Sequence, residues 1–305
     1  LFSYSEDISS EYVYRYAQSL KSIGKYATAD RIMERLKATD SNDDRAELFS
    51  EEKNYLKLIE LQSGRFNISN VPFNSEYSDY GPTLNGGEVI FTSNRKTRTA
   101  SQRFHDWDDE PFSELYSILV SEEGSPTRYR SKINTRYHES TSVFTKDGQT
   151  MYFTRNNYTD RKRGKDNTGT TNLKLYRAKR TEKGWSEATE LPFNSNDYSV
   201  AHPALSADGK QLIFASDMPG GEGDLYFASD GHVGLGGLDV FVAEKNSEGI
   251  YDKGFNIGAP INSDKDDFSF VINSATGLGY FSSNREGGLG SDDIYAFEQT
   301  AGLIK

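Results

Sequence analysis

Two hydrophobic periods divide the chain. Between residues 10 and 61 apolar side chains recur three or four apart: Tyr12, Tyr16 and Leu20, then Ala29, Ile32, Met33 and Leu36, then Leu48, Tyr55, Leu58 and Ile59. That spacing gathers each set on one face of a helix. Ser9 and Ser10 can cap the first helix and Gly24 ends it. A second helix is predicted from about Tyr26 to Ala38, and Asp43-Asp44 open a third. From residue 65 onward the apolar runs shorten to a few residues, separated by Gly, Asp and Asn. Asp147-Gly148 and Asp208-Gly209 mark tight hairpins, the latter joining Ala204-Leu205-Ser206 to Leu212-Ile213-Phe214.

These strands repeat. Phe91-Thr92-Ser93-Asn94, Phe153-Thr154-Arg155-Asn156, Phe214-Ala215-Ser216-Asp217, Phe227-Ala228-Ser229-Asp230 and Phe281-Ser282-Ser283-Asn284 share one pattern, and their Phe residues lie 62, 61, 13 and 54 apart. A second anchor is a tripeptide: Phe73-Asn74-Ser75, Ile133-Asn134-Thr135, Phe193-Asn194-Ser195 and Ile261-Asn262-Ser263, with its Asn at spacings of 60, 60 and 68. A period near 60 fits one four-stranded propeller blade with long loops. A strand such as Leu173–Ala178 reads as the third of a blade, and Trp185 to Asn194 as the fourth. The 13-residue interval has no room for a blade. Both anchors fall short by about 50 residues near Gly221–Leu225, as if a piece of the repeat is missing within 217–227. The expected fold is mainly β: a helical hairpin plus one helix (1–64), a propeller of five four-stranded blades (65–298), and the start of a linker (299–305). The last blade lacks a fourth strand after Ile294–Phe297, and Phe66–Asn74 is an orphan strand before the first. Pairing the two closes the ring and removes its edges.

Composition narrows the function. The 19 Tyr, 18 Phe and 27 Gly suit strands and turns. A net charge of −11 argues against a nucleic-acid partner, which needs a basic face. With no Cys there are no disulfides, thiolate metal sites or thiol chemistry. No apolar run is long enough for a transmembrane helix.

Gly24-Lys25-Tyr26-Ala27-Thr28-Ala29 resembles the turn of a tetratricopeptide (TPR) repeat. The Phe-x-Ser-Asn/Asp strands, the Asp-Gly hairpins and Gly234-Leu235-Gly236-Gly237-Leu238-Asp239-Val240-Phe241 resemble TolB-type propeller repeats. In that order, and with Ser10–Leu20 and Ser229–Asp239, the chain resembles the periplasmic outer-membrane-protein-A-family proteins of Bacteroidetes, among them the peptidoglycan-associated component of type IX secretion. The resemblance implies a non-catalytic scaffold for protein partners at the periplasmic face of the outer membrane. In that family a lipidated Cys anchors the protein and a C-terminal domain binds peptidoglycan; no residue of this chain answers to either. A glycan- or peptidoglycan-fragment-binding propeller, or a propeller hydrolase, stands as the alternative.

Residue chemistry offers few sites. The Asn or Asp three after each motif Phe (Asn94, Asn156, Asp217, Asp230, Asn284) reads as an Asx turn accepting backbone N–H groups. Gly287-Gly288-Leu289-Gly290-Ser291-Asp292-Asp293 matches a calcium-binding nonapeptide pattern. That motif works at a nine-residue period, so at a period near 60 a glycine turn is the better reading of Asp292 and Asp293, and no cofactor is expected. His105, His138, His202 and His232 lack metal-ligand spacing, and no Gly-x-Ser-x-Gly elbow is present. What stands out is loop length. The second-to-third strand loops of the first two blades, about 95–113 and 156–172, carry Lys96, Arg98, Arg103, Trp107, Arg161, Lys162, Arg163 and Lys165. A basic, partly aromatic patch on an acidic chain is the candidate surface for an acidic partner.

Overall fold

A computed structural model describes residues 8–96, 104, 109–121, 124–129, 132–135, 137–159, 162–205, 209, 212–216, 226–243, 254–273 and 276–304. Four helices come first: α1 (Ser10–Lys21), α2 (Tyr26–Thr39), α3 (Asp44–Glu51) and α4 (Tyr55–Gln62). The expected third helix is two. The chain leaves helical geometry at Glu52 and re-enters at Tyr55, whose N–H donates to the Glu52 carbonyl. Asp43 caps α3 by accepting the N–H groups of Arg45 and Ala46, whereas Ser9 makes no side-chain cap on α1. The face of α1 also differs from expectation. Tyr12 and Tyr16 point outward, and Val13, Tyr14, Ala17 and Leu20 pack inward against Ala29, Met33, Leu36, Phe49 and Ile59. An Ala at 17 lets α1 and α2 approach closely, which a Tyr face does not.

The remainder is a propeller arrangement of antiparallel sheets, and its first strand pairs with its last. That strand, β1 (Phe66–Asn70), pairs with the last, running Phe66↔Gln299 to Asn70↔Tyr295. Blade 1 is β2 (Asp79–Asn85), β3 (Glu88–Ser93), β4 (Glu114–Leu119) and β5 (Thr127–Arg128). Blade 2 is β6 (Glu139–Phe144), β7 (Thr150–Asn156), then, after a small β8 (Tyr158–Thr159) and β9 (Lys162–Arg163) hairpin, β10 (Leu173–Thr181). Its outer strand is split into β11 (Gly184–Trp185) and β12 (Thr189–Glu190). Blade 3 shows β13 (Val200–Leu205) and β14 (Leu212–Ser216); blade 4 shows β15 (Tyr226–Ser229), β16 (Asp239–Val242) and β17 (Phe255–Asn256). Blade 5 is β18 (Asp267–Ile272), β19 (Leu278–Ser283), β20 (Asp293–Gln299) and β1. Three sheets are therefore full blades and two are partial, so the expected five four-stranded blades are not all present among the described residues. By the position of their motif Phe, β14 and β15 are both second strands. The expected interruption at 217–227 falls almost wholly on residues outside the described ones.

The repeat residues hold this frame. Phe91, Phe153 and Phe281 are fully buried, one per complete blade. The hydroxyl of the next residue bridges blades: Ser282 Oγ accepts Gly81 N–H (3.1 Å), Thr92 Oγ1 accepts Thr141 N–H (3.1 Å), and Thr154 Oγ1 accepts His202 N–H (2.9 Å). Each donor sits at a register shift in the first strand of its blade, where a bulge frees one N–H from the ladder. The tripeptide Asn lies flat against the third strand. Asn134 Oδ1 accepts Leu115 N–H and its Nδ2 donates to the Leu115 and Tyr129 carbonyls. Asn74 does the same at Ile294, Asn194 at Leu175 and Asn262 at Val240.

The helices dock on blades 4 and 5. Val233 and Leu235 join the helical core, Tyr14 O–H and Gln18 N–H donate to the Asp230 carbonyl, and Lys265 Nζ donates to the Ser22 carbonyl. At the end of α4, Ser63 Oγ accepts Ala259 N–H and Gly64 N–H donates to the Ala259 carbonyl. Gly258 has φ +79, and a Cβ there would lie 2.8–2.9 Å from the backbone at Ile59–Ser63, so only glycine allows this approach.

Candidate functional site

Buried acids are the first place to look for chemistry, and three of them are held in one recurring way. Asp79 accepts Ser75 N–H and Oγ–H and pairs with Arg95 Nη2 at 2.6 Å. Glu139 accepts Thr135 N–H and Oγ1–H and pairs with Arg155 Nε at 3.0 Å. Asp267 accepts Ser263 N–H and Oγ–H and pairs with Arg285 Nη2 at 2.6 Å. Each guanidinium also lies over the motif Phe and a neighbouring Tyr, at 4.8–5.2 Å from the ring centroids. Arg155 follows its Phe by two residues and the other two by four, yet all three reach the same place. In blade 3 the acid's position is Ser199, whose hydroxyl instead accepts Leu173 N–H. Burial pushes Glu139 up to about 7, against the pull of Arg155, and raises Asp267 as well.

The Gly-Leu-Gly turns are a second device. Asp239 accepts the N–H groups of Leu235 and Gly236, and Asp293 those of Leu289 and Gly290. A Cβ on Gly236 would sit 2.1 Å from the Lys265 carbonyl oxygen, and one on Gly290 1.8 Å from that of Tyr77. The glycines are there for close approach, and Asp293 Oδ2 is spent on backbone N–H groups rather than on an ion. Among the described residues no group of His, Cys, Asp and Glu is placed to hold a metal. Asn94 and Asn284 do accept backbone N–H groups, but from Ser78 and Asp266 on the approach to the first strand of their own blades, not within a local turn. Asn156 is seen through its backbone N–H, on the His138 carbonyl, and Asp230 through its carbonyl; Asp217 lies outside the described residues. His138, His202 and His232 sit apart, facing Ser113, Thr141 and Ser229 respectively; His105 lies outside the described residues.

Blades 1 and 2 depart from this shared frame on their loop face. Of the predicted basic patch, Lys96 is exposed with Nζ 5.7 Å from the Tyr77 ring centroid, and Lys165 is exposed beyond β9. Lys162 and Arg163 form β9, opposite Thr159 and Tyr158 in register. Arg98, Arg103, Trp107 and Arg161 lie outside the described residues. The sequence reading missed an aromatic group beside these cations. Tyr137 meets Tyr158 edge-on at 4.6 Å and Phe112 at 6.0 Å, and Phe112 lies 4.6 Å from the His138 ring. All four rings are half-buried. Tyr137 stands three after Asn134, as Tyr77 follows Asn74, and that spacing was the one available signal.

The same junction contains Ser113 and His138, with Oγ 2.9 Å from Nδ1. Ser113 is buried, and its backbone N–H also points at Nδ1, at 3.2 Å. The Glu139 N–H to Ser113 carbonyl bond recurs at Asp79–Asp292 and Asp267–Leu238. The pair is thus one version of a bond that joins blades around the ring.

No family model matches the chain, and no curated protein matches it. Nothing in these comparisons bears on TPR repeats, the outer-membrane-protein-A family or secretion. Among the described residues no helix is long and apolar enough to cross a membrane. Among solved structures, the chain is similar to one described as "Glycoside hydrolase" at 8% identity and a TM-score of 0.37, over 76% of this chain and 69% of that one. It is similar to puromycin hydrolase at 10% identity and a TM-score of 0.30, over 72% of this chain and 53% of that one. Those neighbours are hydrolases by name; at these TM-scores the likeness carries no argument about this chain.

Proposed function

We propose that the chain is a non-catalytic binding module and that the loop face of blades 1 and 2 takes an acidic polysaccharide. The supporting observation is how these two blades depart from the compact fifth blade: they add the Phe112–Tyr137–Tyr158 rings and the exposed cations Lys96 and Lys165. Aromatic faces stack on sugar rings, and cations on an otherwise acidic chain select a negatively charged ligand. A hydrolase would need a carboxylate or nucleophile not already engaged. The recurring buried acids are held by Arg, Asp239 and Asp293 Oδ2 accept backbone N–H groups, and Ser113 is buried within a blade junction; Asp293 Oδ1 is buried without a hydrogen-bond partner. The periplasmic, outer-membrane setting enters this proposal through the sequence resemblance alone, as does a role in holding an envelope assembly together.

Calorimetric titration with oligogalacturonate and with neutral cello-oligosaccharide tests the reading. The acidic sugar is expected to bind, and the triple variant Lys96→Glu, Arg163→Glu, Lys165→Glu to weaken it about tenfold or more, as for two or three charge-assisted contacts. Equal binding by the variant, or none by either protein, would overturn it. Release of new reducing ends would replace the binding module with an enzyme. Crosslinking in native envelopes reads out any protein partner.

A further inference from the structure

The Ser or Thr of the repeated tripeptide presents the residue two further on in one way in four blades. Ser75 Oγ accepts Tyr77 N–H at 3.3 Å, and Thr135 Oγ1 accepts Tyr137 N–H at 3.3 Å. Ser195 Oγ accepts Asp197 N–H at 3.1 Å, and Ser263 Oγ accepts Lys265 N–H at 3.2 Å. A hydroxyl that fixes the backbone two residues on leaves the identity of the presented side chain open. The position is constant, on the approach to the first strand at the loop-face end, and the blades fill it differently. Blade 5 spends Lys265 on the helices, through the Ser22 carbonyl. Blade 3 has an exposed Asp197. Blades 1 and 2 both present a half-buried Tyr. Lys96 Nζ lies 5.7 Å from the Tyr77 ring centroid, and the Tyr158 ring lies 4.6 Å from that of Tyr137. Phe112 reaches Tyr137 from the blade 1 side, at 6.0 Å.

We propose that Tyr77 and Tyr137 are two matched subsites, one blade apart, for a single linear acidic polysaccharide, with Asp197 marking where its track ends. The assignment rests on the loop face being the binding face. At the first subsite a sugar lies against Tyr77 while Lys96 takes its carboxylate; at the second, Tyr137 and Tyr158 offer ring surface. A chain that reaches both gains from the second contact at a high effective concentration, and a chain too short to reach gains nothing. The next equivalent position along the ring carries a like charge, which repels a polyanion.

Calorimetric titration of the full chain with di-, tetra- and hexagalacturonate is the test. The hexamer is expected to bind about tenfold or more tightly than the dimer. Tyr77→Ala and Tyr137→Ala should each cut that gain to under about threefold, while Tyr137→Phe retains it. Equal affinity for dimer and hexamer, or a gain that survives either Ala variant, overturns the paired subsites and leaves an acidic sugar on the loop face standing. No binding at any length removes both. Should an Ala variant fail to fold, Asp197→Lys decides, since it alters an exposed side chain and asks for a gain. It is expected to tighten the hexamer about threefold or more and leave the dimer unchanged. An unaltered hexamer affinity overturns the track.

Discussion

Replacing Asn134 by Ala tests whether the repeated tripeptide is architecture. Asn134 is buried, and its amide makes three hydrogen bonds: one from Leu115 N–H at 2.8 Å, and one each to the Leu115 and Tyr129 carbonyls at 2.9 and 2.8 Å. Each is worth about 1 kcal/mol net. The loss is larger than that figure alone, since Leu115 is fully buried and its N–H is left facing a methyl group, while its carbonyl keeps the Tyr129 N–H. A total of about 3–5 kcal/mol follows, with one or two kcal/mol for each orphaned buried group. For a chain of this size that corresponds to a fall in Tm of roughly 5–10 °C. Urea unfolding followed through Trp185 fluorescence suits the measurement, because Trp185 packs in the same cluster as Leu115, Tyr129 and Ile133. Asn284→Ala is the control. Its side chain is exposed, and its removal is expected to cost less than about 1 kcal/mol. If the two substitutions cost the same, or if Asn134→Ala costs under about 1 kcal/mol, the three-bond account of the tripeptide is wrong.

The other expectations concern charge, glycine and the interrupted repeat. Arg155→Met should destabilise by about 3–5 kcal/mol by stranding Glu139, and adding Glu139→Gln should recover much of that loss; additive costs in a double-mutant cycle would count against a coupled pair. Burial raises Glu139 from an ordinary 4.5, and Asp239 from 3.8, to about 7 in the folded state. Raised acids contribute stability that is full below their ordinary values and lost as pH rises through 7. The urea midpoint should therefore be higher at pH 5 than at pH 8, with a shallower slope in Glu139→Gln; a midpoint that rises with pH refutes this. Gly290→Ala should destabilise strongly, because its Cβ would meet the Tyr77 carbonyl, while a calcium chelator leaves Tm unchanged; chelator sensitivity would restore the ion-binding reading. Finally, both repeat anchors predict that the natural chain carries roughly 50 further residues between Ser216 and Tyr226, judged against the regular blade period. Peptide mapping of the protein from its source should find them, and a continuous tryptic peptide across 217–225 would show a true deletion.

The architecture was readable because its signals recur. Fully buried Phe91, Phe153 and Phe281 announce the second strand of each complete blade, and the Asn tripeptide announces the end of the fourth. The pairing of β1 with β20 followed from one strand missing at each end of the repeat. The failures have local causes. The four-residue spacing of Tyr12, Tyr16 and Leu20 mixes two faces of α1. Four residues advance 400° around a helix, so the set drifts, and small Ala17 rather than the Tyr pair marks the packed side. The break between α3 and α4 at 52–54 carries neither Gly nor Pro, so no strong punctuation announced it.

Function is harder to read for a related physical reason. In a repeat protein a polar residue that recurs from blade to blade is held there by the frame, as with Asp79, Glu139 and Asp267, each paired with Arg and a Ser or Thr. Composition alone makes such acids look like chemistry, and only their partners show that their charges are already engaged. What remains for a ligand is whatever single blades add. Tyr158 and Phe112 have no counterpart in the compact fifth blade. Neither carries a periodic signal; ring contacts between residues distant in sequence bring both into view. The loop face of blades 1 and 2 is therefore where this chain spends residues that its propeller does not require.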